Sequence, residues 1–192
     1  EKAHGGLGNG YVSLVDALLS AVYPELGIRV VNTGISGDRV RDLAERWQSD
    51  VLDVQPDWLS IMIGINDVWR QFDQPTRPEL HVHEQEYTET YQRLLEQTRP
   101  QLKGLVLMTP FYLDLNKQDP MRIKMDEYGR IVKGLAEQFD AVFVDTQAAY
   151  DQMLQSVHSY ELASDRIHPN LTGHMVLARA FLNAIGFSWE GR

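Results

Sequence analysis

Four short apolar runs alternate along the chain with segments of helical periodicity, and this alternation constrains the fold more than any other feature. Ile28-Arg29-Val30-Val31-Asn32, Trp58 to Ile63, Leu105 to Met108 and Ala141 to Val144 read as strands. Val12, Val15, Leu18, Leu19 and Val22 recur at three- and four-residue spacing, which predicts a helix ended by Pro24. Val40, Leu43, Trp47 and Val51 mark a second helix, stopped before Pro56. Further helices are expected over 84–98, 119–139, 146–154 and 171–185, the last closed by Gly186. Strands that are apolar on both faces must be covered on both faces, so the pattern predicts an α/β domain with a buried parallel sheet. Met62, Met108 and Phe143 follow the strand pattern and are expected in the core. No repeat, linker or shift of composition divides the 192 residues, which suit a single domain over 1–192.

Polar residues gather where the strands end: Asn32 onward, Gly64 onward, Thr109-Pro110 and Asp145. Open α/β sheets bind their ligands at that edge. Asp165-Arg166-Ile167-His168 then stands just before the last helix. A carboxylate bonded to one imidazole nitrogen holds the ring in one tautomer and stabilises its protonated form, as a general base requires. An Asp-x-x-His turn is also an ordinary loop, so this pair alone does not decide. Gly64-Ile65-Asn66-Asp67 follows a strand, where the Asn66 amide could donate to a developing oxyanion or simply close an Asx turn. In Asn32-Thr33-Gly34-Ile35-Ser36-Gly37-Asp38, Gly37 could aim a bare N–H into the cleft, or Asp38 could cap the next helix. Three such signals at one sheet edge, in one order, carry more than each alone.

Asn32-x-Gly34-x-Ser36-Gly37, Gly64-x-Asn66-Asp67 and Asp165-x-x-His168 together resemble the second, third and fifth sequence blocks of the SGNH (GDSL-type) hydrolases. The run Ile61 to Arg70, with Met108-Thr109-Pro110-Phe111 and Val144-Asp145-Thr146-Gln147, more narrowly resembles carbohydrate acetylesterases acting on acetylated xylo-oligosaccharides. The resemblance implies a three-layer α/β/α sandwich with a flavodoxin-like sheet and a serine esterase without metal or organic cofactor. It implies His168 as the base, Asp165 as its orienting acid, and Gly37 (backbone N–H) and Asn66 (side-chain amide) as oxyanion donors. Trp69 would stack on a sugar or pack in the core. Similar esterases are commonly homo-oligomers, although no interface stands out in this sequence.

The first block of that family, a Gly-Asp-Ser that supplies the nucleophile, has no counterpart here: Gly37-Asp38 is followed by Arg39. Ser36 and Ser164 are the serines nearest the quoted blocks; Ser36 falls in the oxyanion turn and Ser164 reads as a turn residue. The topology points the same way. A right-handed crossover needs a strand before its helix, yet a helix comes first. In a sheet of order 2-1-3-4-5 the absent strand is number one, the partner of Ile28–Asn32. The expectation is an upstream segment carrying the first strand and the nucleophile, without which the chain is inactive.

With 18 basic against 27 acidic residues the net charge is −9, which opposes nucleic-acid binding because phosphates would be repelled. The longest apolar run is too short to span a bilayer. The absence of cysteine excludes disulfides and thiolate sites and fits a reducing, cytoplasmic setting, although an upstream signal stays open. Two other readings compete: a sugar-binding remnant of the same fold without catalysis, and a metal-dependent hydrolase built on His81-Val82-His83. His174 is expected to be structural or at the surface, and His158 and His4 to face solvent.

Overall fold

Alternate residues of the central strand face opposite ways, and each set is buried by its own layer of helices. In the computed structural model, which describes residues 6–191, the sheet is formed by β1 (Trp58–Met62), β2 (Gly104–Met108) and β3 (Val142–Val144). All pairs are parallel and the order is β1-β2-β3, with Trp58 beside Gly104 and Met108 beside both Met62 and Val144. The Trp58 ring crosses Gly104 so closely that a Cβ there would stand 2.4 Å from it, which accounts for glycine at the head of β2.

Leu105 and Leu107 enter the larger core together with Ile61. That core is closed by α2 (Val40–Glu45), α3 (Ile65–Asp73), α4 (Glu84–Thr98) and α5 (Pro120–Gln138). Tyr87, Tyr91, Leu94, Leu95 and Thr98 make the buried stripe of α4 at helical spacing. Val106 and Met108 face the other way, onto Val144 and onto Ala180, Phe181 and Ile185 at the end of the chain. That layer consists of α1 (Tyr11–Val22), α6 (Thr146–Met153) and α7 (Leu171–Ala184), with Val15 of α1 packed on Ala178 and Leu182. The expected parallel sheet with helices on both faces is therefore present.

Three local expectations are corrected. Residues 28–32 form no strand: they run without a ladder, with Ile28 and Val31 exposed, because no described strand lies alongside them. A β-branched run needs a neighbouring backbone before its propensity becomes a sheet. The second helix ends as α-helix at Glu45 and continues through a π turn at Gln48–Leu52. Asn66 and Asp67, expected in a turn that follows a strand, lie instead in the first turn of α3, a helix the sequence pattern did not announce. Gly64 allows that sharp entry: its φ is +123°, and a Cβ would stand 3.0 Å from the Tyr87 hydroxyl.

Met62 and Phe143 are partly buried and Met108 fully so, each against the core. His4 lies outside the described residues. No helix among the described residues is long and apolar enough to cross a membrane.

Candidate active site

Asp165 and His168 occupy a turn pinched at its neck. Ala163 and Pro169 form an antiparallel bridge, and the Asn170 N–H donates to the Leu162 carbonyl at 2.7 Å. Asn170 also caps α7, its Oδ1 accepting the Gly173 N–H at 3.0 Å while its Nδ2 donates to the Glu161 carbonyl. Within the turn Ile167 is buried in the larger core, whereas Asp165 and His168 are exposed. An apolar anchor thus presents two polar side chains outward.

The Asp165 carboxylate has two tasks. Its Oδ1 accepts the backbone N–H groups of His168 (2.8 Å) and Ile167 (3.1 Å), and its Oδ2 meets His168 Nδ1 at 2.6 Å. Partial desolvation pushes this carboxyl up. The bonds from His168 and Ile167, with the nearby imidazole, outweigh that effect and bring it down to about 2. An ionised acceptor on Nδ1 leaves Nε2 of the ring as the nitrogen able to take a proton.

Two further sheet-edge segments meet this turn through α3. Asn66 Nδ2 donates to the Asp38 carbonyl at 3.1 Å, which ties α3 to the residue after Gly37. Gly37 is exposed, with φ of +92°, a left-handed conformation suited to glycine. One turn along α3, Trp69 sets its ring edge-on to His168 with centroids 5.5 Å apart. Residues three apart share a helix face, so Asn66 and Trp69 together carry the link from Gly37 to His168. One side of the Trp69 ring carries the Arg70 guanidinium, 4.6 Å from its centroid.

The structure therefore brings Gly37, Asn66, Trp69, Asp165 and His168 to one edge of the sheet. It does not bring a serine to the imidazole: Ser36 and Ser164 are exposed, and no described serine hydrogen-bonds the His168 ring. His81 and His83 do face each other edge-on, but His81 Nε2 pairs with the Gln74 carbonyl, and no three His, Asp or Glu side chains converge among the described residues. His174 is half-buried in α7, where its Nδ1 accepts the Tyr11 N–H at 3.3 Å and so caps α1, a structural place as expected. His158 is exposed and stacked on Tyr160.

The GDSL-like lipase/acylhydrolase family model matches residues 3–176. The chain belongs to that family. It is 58% identical over 189 residues to an acetylxylan esterase of Geobacillus stearothermophilus, spanning 98% of this chain and 86% of the relative. A solved catalytic mutant of that esterase superposes with a TM-score of 0.95, covering 98% of this chain and 85% of the other. An alpha/beta hydrolase from the metagenome of Lake Arreo, Spain, is 47% identical, with a TM-score of 0.95 over 100% of this chain and 87% of its own. The resemblance of the three sequence blocks to GDSL-type hydrolases, and of the runs 61–70, 108–111 and 144–147 to acetylesterases, is thus upheld.

Nothing in the sequence singles out Asp67 within its block, or the group formed by Arg122, Asp114 and Arg166. Ionic residues spread over 114–166 have no periodicity that would announce their meeting. The buried Asp67 and Arg122 carry no mark in the sequence that distinguishes them from surface charges.

Proposed function

We propose that this protein is a serine esterase that removes O-acetyl groups from carbohydrates, xylan-type oligosaccharides in particular. The observation that carries the reading is the 2.6 Å contact between Asp165 Oδ2 and His168 Nδ1, at the edge where Gly37 and Asn66 also gather. The likeness to an acetylxylan esterase at 58% identity supports the substrate class.

The nucleophile is assigned to a serine that precedes Glu1. The sequence holds no Gly-Asp-Ser. The Geobacillus esterase has been solved as catalytic mutants lacking a serine, an aspartate or a histidine side chain. There the aspartate stands three positions before the histidine, the spacing of Asp165 and His168. Its serine precedes the aspartate by more than the whole stretch of this chain before Asp165.

In the proposed reaction the serine oxygen attacks the acetyl carbonyl while His168 Nε2 takes its proton. The oxyanion is met by the Gly37 N–H, the Asn66 amide and the serine's own N–H. The tetrahedral adduct collapses to an acetyl-serine as His168 returns the proton to the departing sugar oxygen. Water, deprotonated by His168, then attacks the acetyl-serine and releases acetate and free serine. Asp165 stays ionised throughout and stabilises the imidazolium. The chain without that serine is expected to be inactive.

The test is acetate release from acetylated xylo-oligosaccharides and 4-nitrophenyl acetate by the protein expressed from its complete reading frame. His168→Ala should lower the rate roughly 10³-fold or more. Release that does not depend on His168 would refute the reading.

A further inference from the structure

Arg166, between the two members of the pair, has φ of +66°, a left-handed conformation that a residue with a Cβ seldom keeps. Such a conformation persists only where the surroundings hold it. Here two grips do so, both on the same segment. The Arg166 carbonyl accepts the Leu113 N–H at 3.0 Å. The Arg166 Nη1 donates to Asp114 Oδ2 at 2.7 Å and to the Tyr112 hydroxyl at 3.1 Å. The grip reaches firm ground, because Leu113 and Tyr112 are buried and Asp114 is itself held from below. Arg122, only 2% exposed, donates to the Asp114 carbonyl, forks onto Asp151 at 2.6 and 2.9 Å, and reaches Asp126.

We propose that Arg166 is a positioning residue for the Asp165–His168 pair, transmitting the rigidity of the buried Arg122 group to the turn through Asp114. An isolated surface ion pair would contribute little. This one differs in being coupled to a strained backbone whose relaxation would swing both neighbours. With φ near its ordinary negative range, the N–H groups of Ile167 and His168 would turn away from Asp165 Oδ1, and the 2.6 Å contact to the ring would open. The meaning of this for catalysis rests on the reading under Proposed function, but the geometry of the pair does not.

Arg166→Ala removes the side-chain grip and keeps the Cβ that resists the left-handed turn. Arg166→Gly removes the same grip but adopts the turn freely. A side chain that merely packs or pairs would make glycine the worse replacement, since it removes more. Positioning reverses the order. The readout is the low-field proton NMR resonance of His168 Nδ1–H in the protein from its complete reading frame, with kcat and KM for 4-nitrophenyl acetate measured alongside.

We expect Arg166→Ala and Asp114→Asn to lose the resonance and to lower kcat about tenfold or more with KM within about twofold. Arg166→Gly should keep the resonance and the larger part of kcat. An alanine variant that retains the resonance, or a glycine variant that is worse than alanine, overturns the proposal. Should His168→Ala leave the activity intact, the functional reading falls, while the order of the resonances still decides the role of Arg166.

Discussion

Asp67, with no solvent exposure, accepts the backbone N–H of Val40 at 2.9 Å and so joins the start of α2 to the first turn of α3. Its neighbour Asn66 bonds the Asp38 carbonyl at 3.1 Å, two residues ahead of Val40. Two adjacent residues thus lock the segment after Gly37 to the start of α3, one bond fully buried and the other at the rim.

Burial pushes the Asp67 carboxyl up to about 7, against the opposing pull of the Val40 N–H and of Arg39. An acid raised in the folded state binds more protons there than in the unfolded chain. Stability is therefore lost as pH rises from about 4, where the unfolded group ionises, to about 7. Asp67→Asn keeps an acceptor for Val40 and cannot ionise. Its denaturant midpoint should gain on the wild type between pH 5 and 8, and Asp67→Ala should be less stable by about 1–3 kcal/mol. A midpoint difference that is flat with pH would contradict the buried titration.

The depressed Asp165 behaves in the opposite sense. Its ionised form is favoured in the folded state, so the contact with His168 should survive mild acid and be lost only as pH falls through about 2. Carbonyl-carbon NMR of Asp165 should show no titration down to pH 3. Asp165→Asn, which removes the charge but keeps the shape, should lower deacetylation by roughly 10²–10⁴-fold.

Gly173 and Gly134 both sit inside helices but should respond in opposite ways to alanine. A Cβ on Gly173 would stand 2.7 Å from the Pro169 ring and 2.8 Å from the Leu162 carbonyl, at the neck of the turn that bears His168. Gly173→Ala is expected to destabilise by about 1–3 kcal/mol and to impair activity with it. Gly134, in α5, has nothing within 4 Å of such a Cβ, so Gly134→Ala should stabilise by about 0.5–1 kcal/mol. Thermal melts of the two variants check both signs.

Trp69 offers a way to separate sugar binding from chemistry. With Arg70 over one side and His168 at its edge, the ring is partly buried against the larger core, and only its remaining exposed part could meet a pyranose. Trp69→Ala should raise KM for acetylated xylo-oligosaccharides several-fold more than for 4-nitrophenyl acetate, which carries no sugar. Equal changes with both substrates would assign Trp69 to holding the imidazole instead.

His174 couples the two ends of the described chain. Burial lowers its pKa, so the neutral ring that accepts the Tyr11 N–H is favoured by folding. The unfolded chain binds the proton more readily, and stability should fall as pH drops below about 6.5. His174→Ala should remove that dependence and hasten hydrogen exchange at the Tyr11 amide.

Local pattern determined most of what repeats. The apolar runs at β1, β2 and β3 and the helical stretches of α1, α4, α5 and α7 were legible because each pattern acts on neighbours a few residues away. The order of the blocks bearing Gly37, Asn66, Asp165 and His168 was legible too, through their resemblance to those of the GDSL-type hydrolases. Tertiary structure decided the rest. Residues 28–32 carry strand propensity and form none, because a ladder depends on a partner that propensity does not supply. The depth of Asp67, the path from Arg122 through Asp114 to Arg166, and the contact of Trp69 with His168 each join residues far apart in sequence. Such contacts arise from the folded packing of whole elements, and no spacing along the chain encodes them.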